Sequence, residues 1–347
     1  MALSMTELAK KHAMKANMRQ SEWYGVRSIL GNANWALFYV LLGARESGKS
    51  YSVMEFFVRQ WKTKKIPFVW LRLNEASMKK MLANKAERFV DADIVRHFGL
   101  DLTTKGNNVY DHGEKMATVL ALSTFANEKG VAHFDNEFDG CYNICLDEFQ
   151  LEKTQKRQGD IAYQFIQQME NLVRSRKDKM KIFLIGNTLE EASDILTLFN
   201  FIPEEFGRYK LKNKRCVIDY LPPTEKYKAR RKGSVGDILA GEASNFTNEI
   251  AFDKSLVTKR KLVRPTAIIV FDKHTKFTLW DGQVIAPYNK EKCKTIIAMR
   301  PYQDELFDAR MRDQIITIFD NRAFLYKNLI TNKKFQKEIA LIKPRKQ

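Results

Sequence analysis

Leu41-Leu42-Gly43-Ala44-Arg45-Glu46-Ser47-Gly48-Lys49-Ser50 decides how the rest of the chain is read. Upstream, Trp35 to Leu42 is an apolar run that reads as a buried strand. Downstream, Tyr51 to Trp61 is amphipathic and reads as a helix. A strand that empties into Gly-x-x-x-x-Gly-Lys-Ser and then a helix has the order of a phosphate-binding loop. Glycine lets consecutive backbone N–H groups turn toward a phosphate, and the helix N-terminus adds a favourable dipole. In such a loop Gly43, Ala44, Arg45, Glu46, Ser47 and Gly48 form the cradle. Lys49 reaches the outer phosphates and the Ser50 hydroxyl holds magnesium.

A chain of 347 residues suggests two domains, or one large domain with an appendage, and 44% hydrophobic residues suffice for a real core. Net charge is +18, from 59 basic and 41 acidic residues, which makes a polyanion the default partner, nucleic acid before a membrane surface. Cys141, Cys145, Cys216 and Cys293 show neither C-x-x-C nor metal-site spacing and read as reduced thiols of an intracellular protein. No apolar run approaches a membrane span, and the Met- and Lys-rich start lacks a signal-peptide core. A soluble, cytosolic chain with no membrane partner is expected.

Residues 1–35 read as a basic N-terminal helical arm. Trp23, Tyr24 and Trp35 precede the first strand, where an aromatic can sit against a nucleobase; core packing explains them equally well. Ile66 to Leu73 reads as a second buried strand with Pro67 at its start. Asn74 to Arg88 reads as helix, Gly106 to Leu122 as short strands broken by turns, and Val131 to Phe138 as a turn or hairpin.

Tyr142 to Phe149 then carries apolar residues into Asp147-Glu148, at the strand end where open α/β sheets place their ligands. This is a Walker B pattern: Asp147 for magnesium, and Glu148 to orient and deprotonate the attacking water. Asp160 to Arg176 has a helical apolar stripe and ends in Arg174-Ser-Arg176-Lys177. Those cations either complement the helix dipole or act as an arginine finger in a neighbouring site. Met180 to Thr188 reads as another buried strand whose Asn187 either senses the γ-phosphate or caps a helix beginning near Leu189. Cys216 to Leu221 is one more strand before Pro222-Pro223.

The composition then changes. Residues 224–250, with Lys226, Lys228, Arg230, Arg231 and Lys232, read as a linker or lid of short helices. A second basic cluster follows at Lys254, Lys259, Arg260, Lys261 and Arg264; both clusters suit phosphates, and both suit a solvated surface. From Pro265 a β-meander is expected (Thr266–Asp272, Lys276–Trp280, Gln283–Ala286 and Cys293–Met299) with a tight Asp281-Gly282 turn. Helices Tyr302–Phe319 and Asn321–Ile342 are expected after it.

Taken together, Gly-Ala-Arg-x-x-Gly-Lys-Ser, then Leu-Asp-Glu-Phe, then an Arg-x-Arg helix end before a strand and Asn, resembles the DNA-packaging ATPases of small tailed phages of the phi-29 type. Those belong to the additional-strand, catalytic-glutamate branch of P-loop ATPases. The resemblance implies an α/β fold in three parts: a P-loop ATPase domain with a mainly parallel central sheet (36–223), a small helical linker (224–250), and an α+β C-terminal domain of vestigial RNase H-like type (251–347). It further implies Gly43 to Ser50 on ATP, Asp147 with Ser50 on Mg2+, and Glu148 as base. Arg174, with Arg176 as near alternative, would be a finger acting in trans, and Lys129 a second basic residue across the interface. The partners it implies are double-stranded DNA, copies of the chain in a ring (a pentamer in the family), the portal of the procapsid, and a packaging RNA, all in the host cytoplasm.

The expectation is therefore an ATP-driven translocase that packages a viral genome. Its rivals are a helicase or partition-type ATPase, and a nucleotide-gated DNA-binding protein that hydrolyses little. Nuclease activity is not expected. Asp272 and Asp281 border strands, but Asp304, Glu305 and Asp308 start a helix, where acids serve its dipole.

Overall fold

In the computed structural model the described residues are 23–44, 47–127, 142–150, 160–173, 180–187, 194–203, 205–223, 229, 232–235, 238, 256–301 and 307–343. The chain divides into two units, Met1–Ala251 and Phe252–Gln347. The first unit begins with α1 (Arg27–Asn32), β1 (Phe38–Gly43), α2 (Lys49–Lys64), β2 (Phe68–Arg72), α3 (Glu75–Ala86) and α4 (Ala92–Phe98). β3 (Leu102–Lys105), β4 (Asn108–Asp111), β5 (Glu114–Ala121) and β6 (Asn143–Asp147) come next. After them come α5 (Ile161–Val173), β7 (Ile182–Asn187), α6 (Asp194–Leu198), β8 (Gly207–Leu211) and β9 (Cys216–Tyr220).

An unbroken apolar strand is stable where both faces are covered, the situation of a central parallel strand. β1 is such a strand, and it pairs in parallel with β7 on one side and β9 on the other. The sheet has nine described strands in the order β3-β4-β5-β2-β6-β7-β1-β9-β8. From β5 to β9 every pairing is parallel, while β3, β4 and β8 add antiparallel edges. β7 lies between the glycine-loop strand and the acidic strand, so an additional strand separates the two motifs.

Helix α2 buries Val53, Met54, Phe57, Val58 and Trp61, a stripe of helical period, against this sheet. The Phe57 ring packs 5.2 Å from Phe68 and 5.5 Å from Phe183 between ring centroids. Lys62 and Lys64 occupy the last turn of α2, where cations complement the dipole. Asn74 caps α3 by accepting from the Ser77 N–H, as its position before the helical stretch suggests.

Three elements of this unit differ from the sequence expectation. β3 begins before Gly106, its polar alternation marking an edge strand, and α4 lies in a stretch given no element. β8 also lies in a stretch given no element, and the turn at Lys212–Lys214 folds it back antiparallel on β9. Asp91 caps α4 locally through the Asp93 N–H, a short-helix signal easily overlooked. The basic arm before residue 23, the hairpin at Val131–Phe138, the helix start near Leu189 and most of the 224–250 linker lie outside the described residues.

The second unit contains β10 (Pro265–Val270), β11 (Lys276–Trp280), β12 (Val284–Pro287), β13 (Ile296–Ala298), α7 (Ala309–Asp320), β14 (Leu325–Tyr326) and α8 (Leu329–Ile342). β10, β11 and β12 form the expected antiparallel meander. Asp281 (φ 51°) and Gly282 (φ 70°) turn it through two left-handed residues, as a tight hairpin requires. The sheet order is β13-β10-β11-β12-β14, and both edge strands run parallel to their neighbours. Residues 321–328 are not helical, contrary to the expectation of one helix from Asn321: Leu325 and Tyr326 pair with Val284 and Ile285, and Asn328 caps α8. Phe335 on α8 centres the core, with the rings of Phe271, Phe277, Phe319, Phe324 and Tyr326 between 5.2 and 6.1 Å away. No described helix is long and apolar enough to cross a membrane.

Candidate nucleotide site

The loop after β1 turns at Gly48, whose φ of 84° is left-handed and suits glycine. Lys49 opens α2 and its side chain folds back into the loop. Nζ donates to Gly43 O at 3.0 Å, Ala44 O at 2.6 Å, Ser47 Oγ at 3.1 Å and Asn187 Oδ1 at 3.4 Å. Lys49 is 4% exposed, and burial pulls its ammonium down to about 7, against the opposing charges of Asp147 and Glu148. A buried cation aimed at the centre of a glycine loop is suited to an incoming polyanion.

Asn187 arrives from the neighbouring strand, where it stands in register with Gly43 at the same sheet edge. Ser50 Oγ donates to Asp147 Oδ1 at 2.9 Å, which joins the loop to the end of β6 across the inserted strand β7. A hydroxyl and a carboxylate oxygen side by side, with room for phosphate and water, are the hard donors that magnesium takes. These residues therefore fit an Mg2+ ion shared with a triphosphate.

Glu148 has φ 55°, a left-handed conformation that is costly for a residue with a Cβ. The next residue holds it there: the Phe149 N–H donates to Ile185 O at 3.1 Å, and the Phe149 ring lies against Gly186. A Cβ at Gly186 would stand 2.8 Å from two Phe149 ring carbons and 2.9 Å from Gln150 Oε1. The glycine is there for this close approach. The turn leaves the Glu148 side chain 48% exposed beside the buried Asp147.

Both acids are met by Arg72, at the end of β2. Its Nη1 lies 2.8 Å from Asp147 Oδ2 and its Nη2 pairs with Glu148 Oε2. No sequence motif marks Arg72. Its signal was a cation closing the apolar run Phe68 to Leu71, on a strand that pairs with the acidic strand. A cavity of about 610 Å³ opens beside this pair, lined by Ser50, Tyr51, Trp70, Arg72, Lys80 and Asp147 among others.

The sequence model of the family described as Podovirus DNA encapsidation protein (Gp16) matches residues 18–332. The chain belongs to this family. Two solved structures share this fold over nearly the whole length of the chain. The phi-28 gp11 DNA packaging motor aligns with a TM-score of 0.65 at 13% identity, covering 94% of this chain and 99% of that one. A chain of the bacteriophage phi-29 viral genome packaging motor assembly aligns with a TM-score of 0.62 at 18% identity, covering 93% and 100%. No curated protein matches the chain.

The chain thus brings Gly43, Ala44, Ser47, Gly48, Lys49, Ser50, Asp147, Glu148 and Asn187 to one edge of one sheet. Arg45, Glu46, Lys129, Arg174 and Arg176 lie outside the described residues. Of the three early aromatics, Tyr24 is buried and donates its hydroxyl to Asp219 Oδ2 at 3.0 Å, Trp35 packs on the core, and Trp23 is exposed. Asp272 and Asp281 in the second unit accept backbone N–H groups, from His274 and Thr275 and from Arg264 respectively. Among the described residues no cluster of three or more His, Cys, Asp or Glu forms a metal site.

Proposed function

We propose that this chain is the ATPase subunit of a motor that drives double-stranded DNA into a viral procapsid in the host cytoplasm. The observation that carries the reading is the meeting of Lys49, Ser50, Asp147 and Glu148 at one sheet edge in a chain of the encapsidation family. Residues 36–223 act as the ATPase domain, 1–35 as an N-terminal arm whose residues 23–35 pack onto that domain's core, 224–250 as a linker, and 251–347 as a nucleic-acid-binding domain without nuclease activity. Subunits form a ring, five in the family's manner, docked on the portal with a packaging RNA.

Within one subunit Lys49 binds the outer phosphates, Ser50 and Asp147 hold magnesium, and Asn187 reports on the terminal phosphate. Magnesium supplies positive charge to the phosphates when bound. Glu148 orients the attacking water and accepts its proton, for which it leaves Arg72. Arg174, with Arg176 beside it, is offered to the neighbour's site, and Lys129 assists there, so hydrolysis alters the contacts between subunits. The +18 charge suits a motor that holds DNA by its phosphates and ignores its sequence.

Turnover of wild type and Glu148→Gln, each with and without duplex DNA, tests the reading. Wild type should hydrolyse ATP faster with DNA, and Glu148→Gln should lose on the order of 100-fold or more in kcat while still binding ATP. Equal, negligible rates in both proteins would refute the motor.

A further inference from the structure

The cavity of about 610 Å³ beside Asp147 has lining residues that hydrolysis, as proposed above, leaves unused. Ser50 and Asp147 belong both to the nucleotide site and to the cavity wall, so the cavity opens directly from the magnesium donors. The rest of the wall comes from α2, β2, α3 and the stretch between α3 and α4. In the sheet β2 follows β6 on the side away from β7 and β1. The cavity therefore lies toward the β2 side of the site.

Trp70 and Arg72 stand two residues apart on β2, so both meet the cavity from one face of the sheet. The Trp70 indole is 1% exposed and is gripped edge-on by Phe57 and Phe89, each with its ring centroid 6.1 Å away. Its Nε1 is buried and has no acceptor among the described residues. A buried donor left unmade is costly, so what this wall lacks is an acceptor. Lys80 on α3 and Arg88 just after it add two cations with no ion-pair partner among the described residues. Arg72 is the third, and its hold on Asp147 is surplus once that carboxylate serves a metal. Glu87 and Asp91 line the cavity as well, the Asp91 carboxylate being engaged by the Asp93 N–H. With Asp147 on a metal, Arg72, Lys80 and Arg88 outnumber those two acids. Such a lining suits a small anion with several acceptor oxygens.

Hydrolysis makes an anion of this kind at the mouth of the cavity. The water held by Glu148 gives up its proton to that carboxylate and attacks the terminal phosphorus, and the bridging bond breaks toward the diphosphate. Orthophosphate is then formed beside Ser50 and Asp147. The diphosphate still occupies Gly43–Ser50, so the free space next to the product is on the β2 side.

We propose that this cavity receives the orthophosphate product before it reaches solvent, with Arg72, Lys80 and Arg88 as its cations and the Trp70 N–H as the donor kept for it. The inference rests on the reading of Gly43–Ser50 as a nucleotide cradle. Saturating Mg2+-ADP separates the two, because it fills the cradle and leaves the cavity open.

Calorimetric titration of inorganic phosphate into the full chain loaded with Mg2+-ADP, at constant ionic strength, tests it. The proteins compared are wild type, the double variant Lys80→Ala with Arg88→Ala, and Trp70→Phe, which keeps a ring and removes the N–H. The double variant should bind phosphate about tenfold more weakly and Mg2+-ADP within about twofold of wild type, and Trp70→Phe should weaken phosphate about threefold. Wild type that takes up Mg2+-ADP but no phosphate, or unchanged phosphate affinity in either variant, overturns the receiving site. Equal weakening of phosphate and Mg2+-ADP overturns it too. Wild type that binds no Mg2+-ADP overturns the cradle itself and the receiving site with it.

Discussion

Glu148 illustrates how one side chain depends on neighbours with no chemistry of their own. Its left-handed backbone is pinned by Phe149, and Phe149 has room only because residue 186 is glycine. Gly186→Ala should push the ring and move Glu148, lowering kcat on the order of 100-fold, the scale of a misplacement near 1 Å, with little change in ATP affinity. Phe149→Leu in the same chain should restore part of the loss; steady-state kinetics with unchanged kcat in Gly186→Ala would sink the argument. Arg72 permits a second test. It is the countercharge of a buried Asp147, so Arg72→Ala should cost about 3 kcal/mol in urea unfolding without nucleotide. Mg2+-ATP should narrow that gap, because a bound cation takes over the countercharge and ligand binding favours the folded state. A gap of the same size with and without Mg2+-ATP would mean that magnesium binds elsewhere.

At the level of elements, the sheet edge β3-β4-β5 is fastened to α2 through Asp111. Its carboxylate accepts from Trp61 Nε1 at 3.0 Å and from the Asp101 N–H at 3.1 Å, with Lys62 at 3.3 Å and His112 Nδ1 at 2.7 Å. Burial pushes this carboxyl up, but those bonds and the Lys62 charge outweigh it and hold it below the ordinary value. A depressed folded value means the contribution is complete above about pH 4, where the unfolded carboxyl is ionised, and is lost as pH falls through the lower folded value. Asp111→Asn should therefore destabilise the first unit by about 1–3 kcal/mol at pH 7. The difference from wild type should shrink on acidification toward pH 2, and urea midpoints measured across that range would show a constant gap if the assignment were wrong.

For the whole molecule, the question is whether one chain completes its own site. Lys49, Ser50, Asp147, Glu148 and Asn187 are proposed to supply cradle, metal donors, base and sensor, and the cations that follow α5 to serve the neighbour. Mixing inactive Arg174→Ala with inactive Glu148→Gln should restore part of the hydrolysis, since a site with an intact base can then receive an intact finger. Confirmed mixed rings with no recovered turnover would assign Arg174 to its own chain.

Local patterns along the chain were enough to reveal the glycine loop, the apolar strands that flank it, the Asp-Glu pair and the family these features resemble. Each of those signals is local: a periodicity, a spacing or a turn residue within a few positions. The sequence also placed the Asp281-Gly282 turn, because two left-handed residues between strands leave few alternatives. Tertiary structure alone decided that β7 separates the two motifs, that β14 replaces the start of the last expected helix, and that Arg72 closes on Asp147 and Glu148. It also divided the three early aromatics into a buried donor to Asp219, a core residue and an exposed ring on Gly48. These outcomes join residues separated by as many as 195 positions. Strand pairing and the burial of charge are settled only when the chain closes on itself, and no periodicity along the sequence records them.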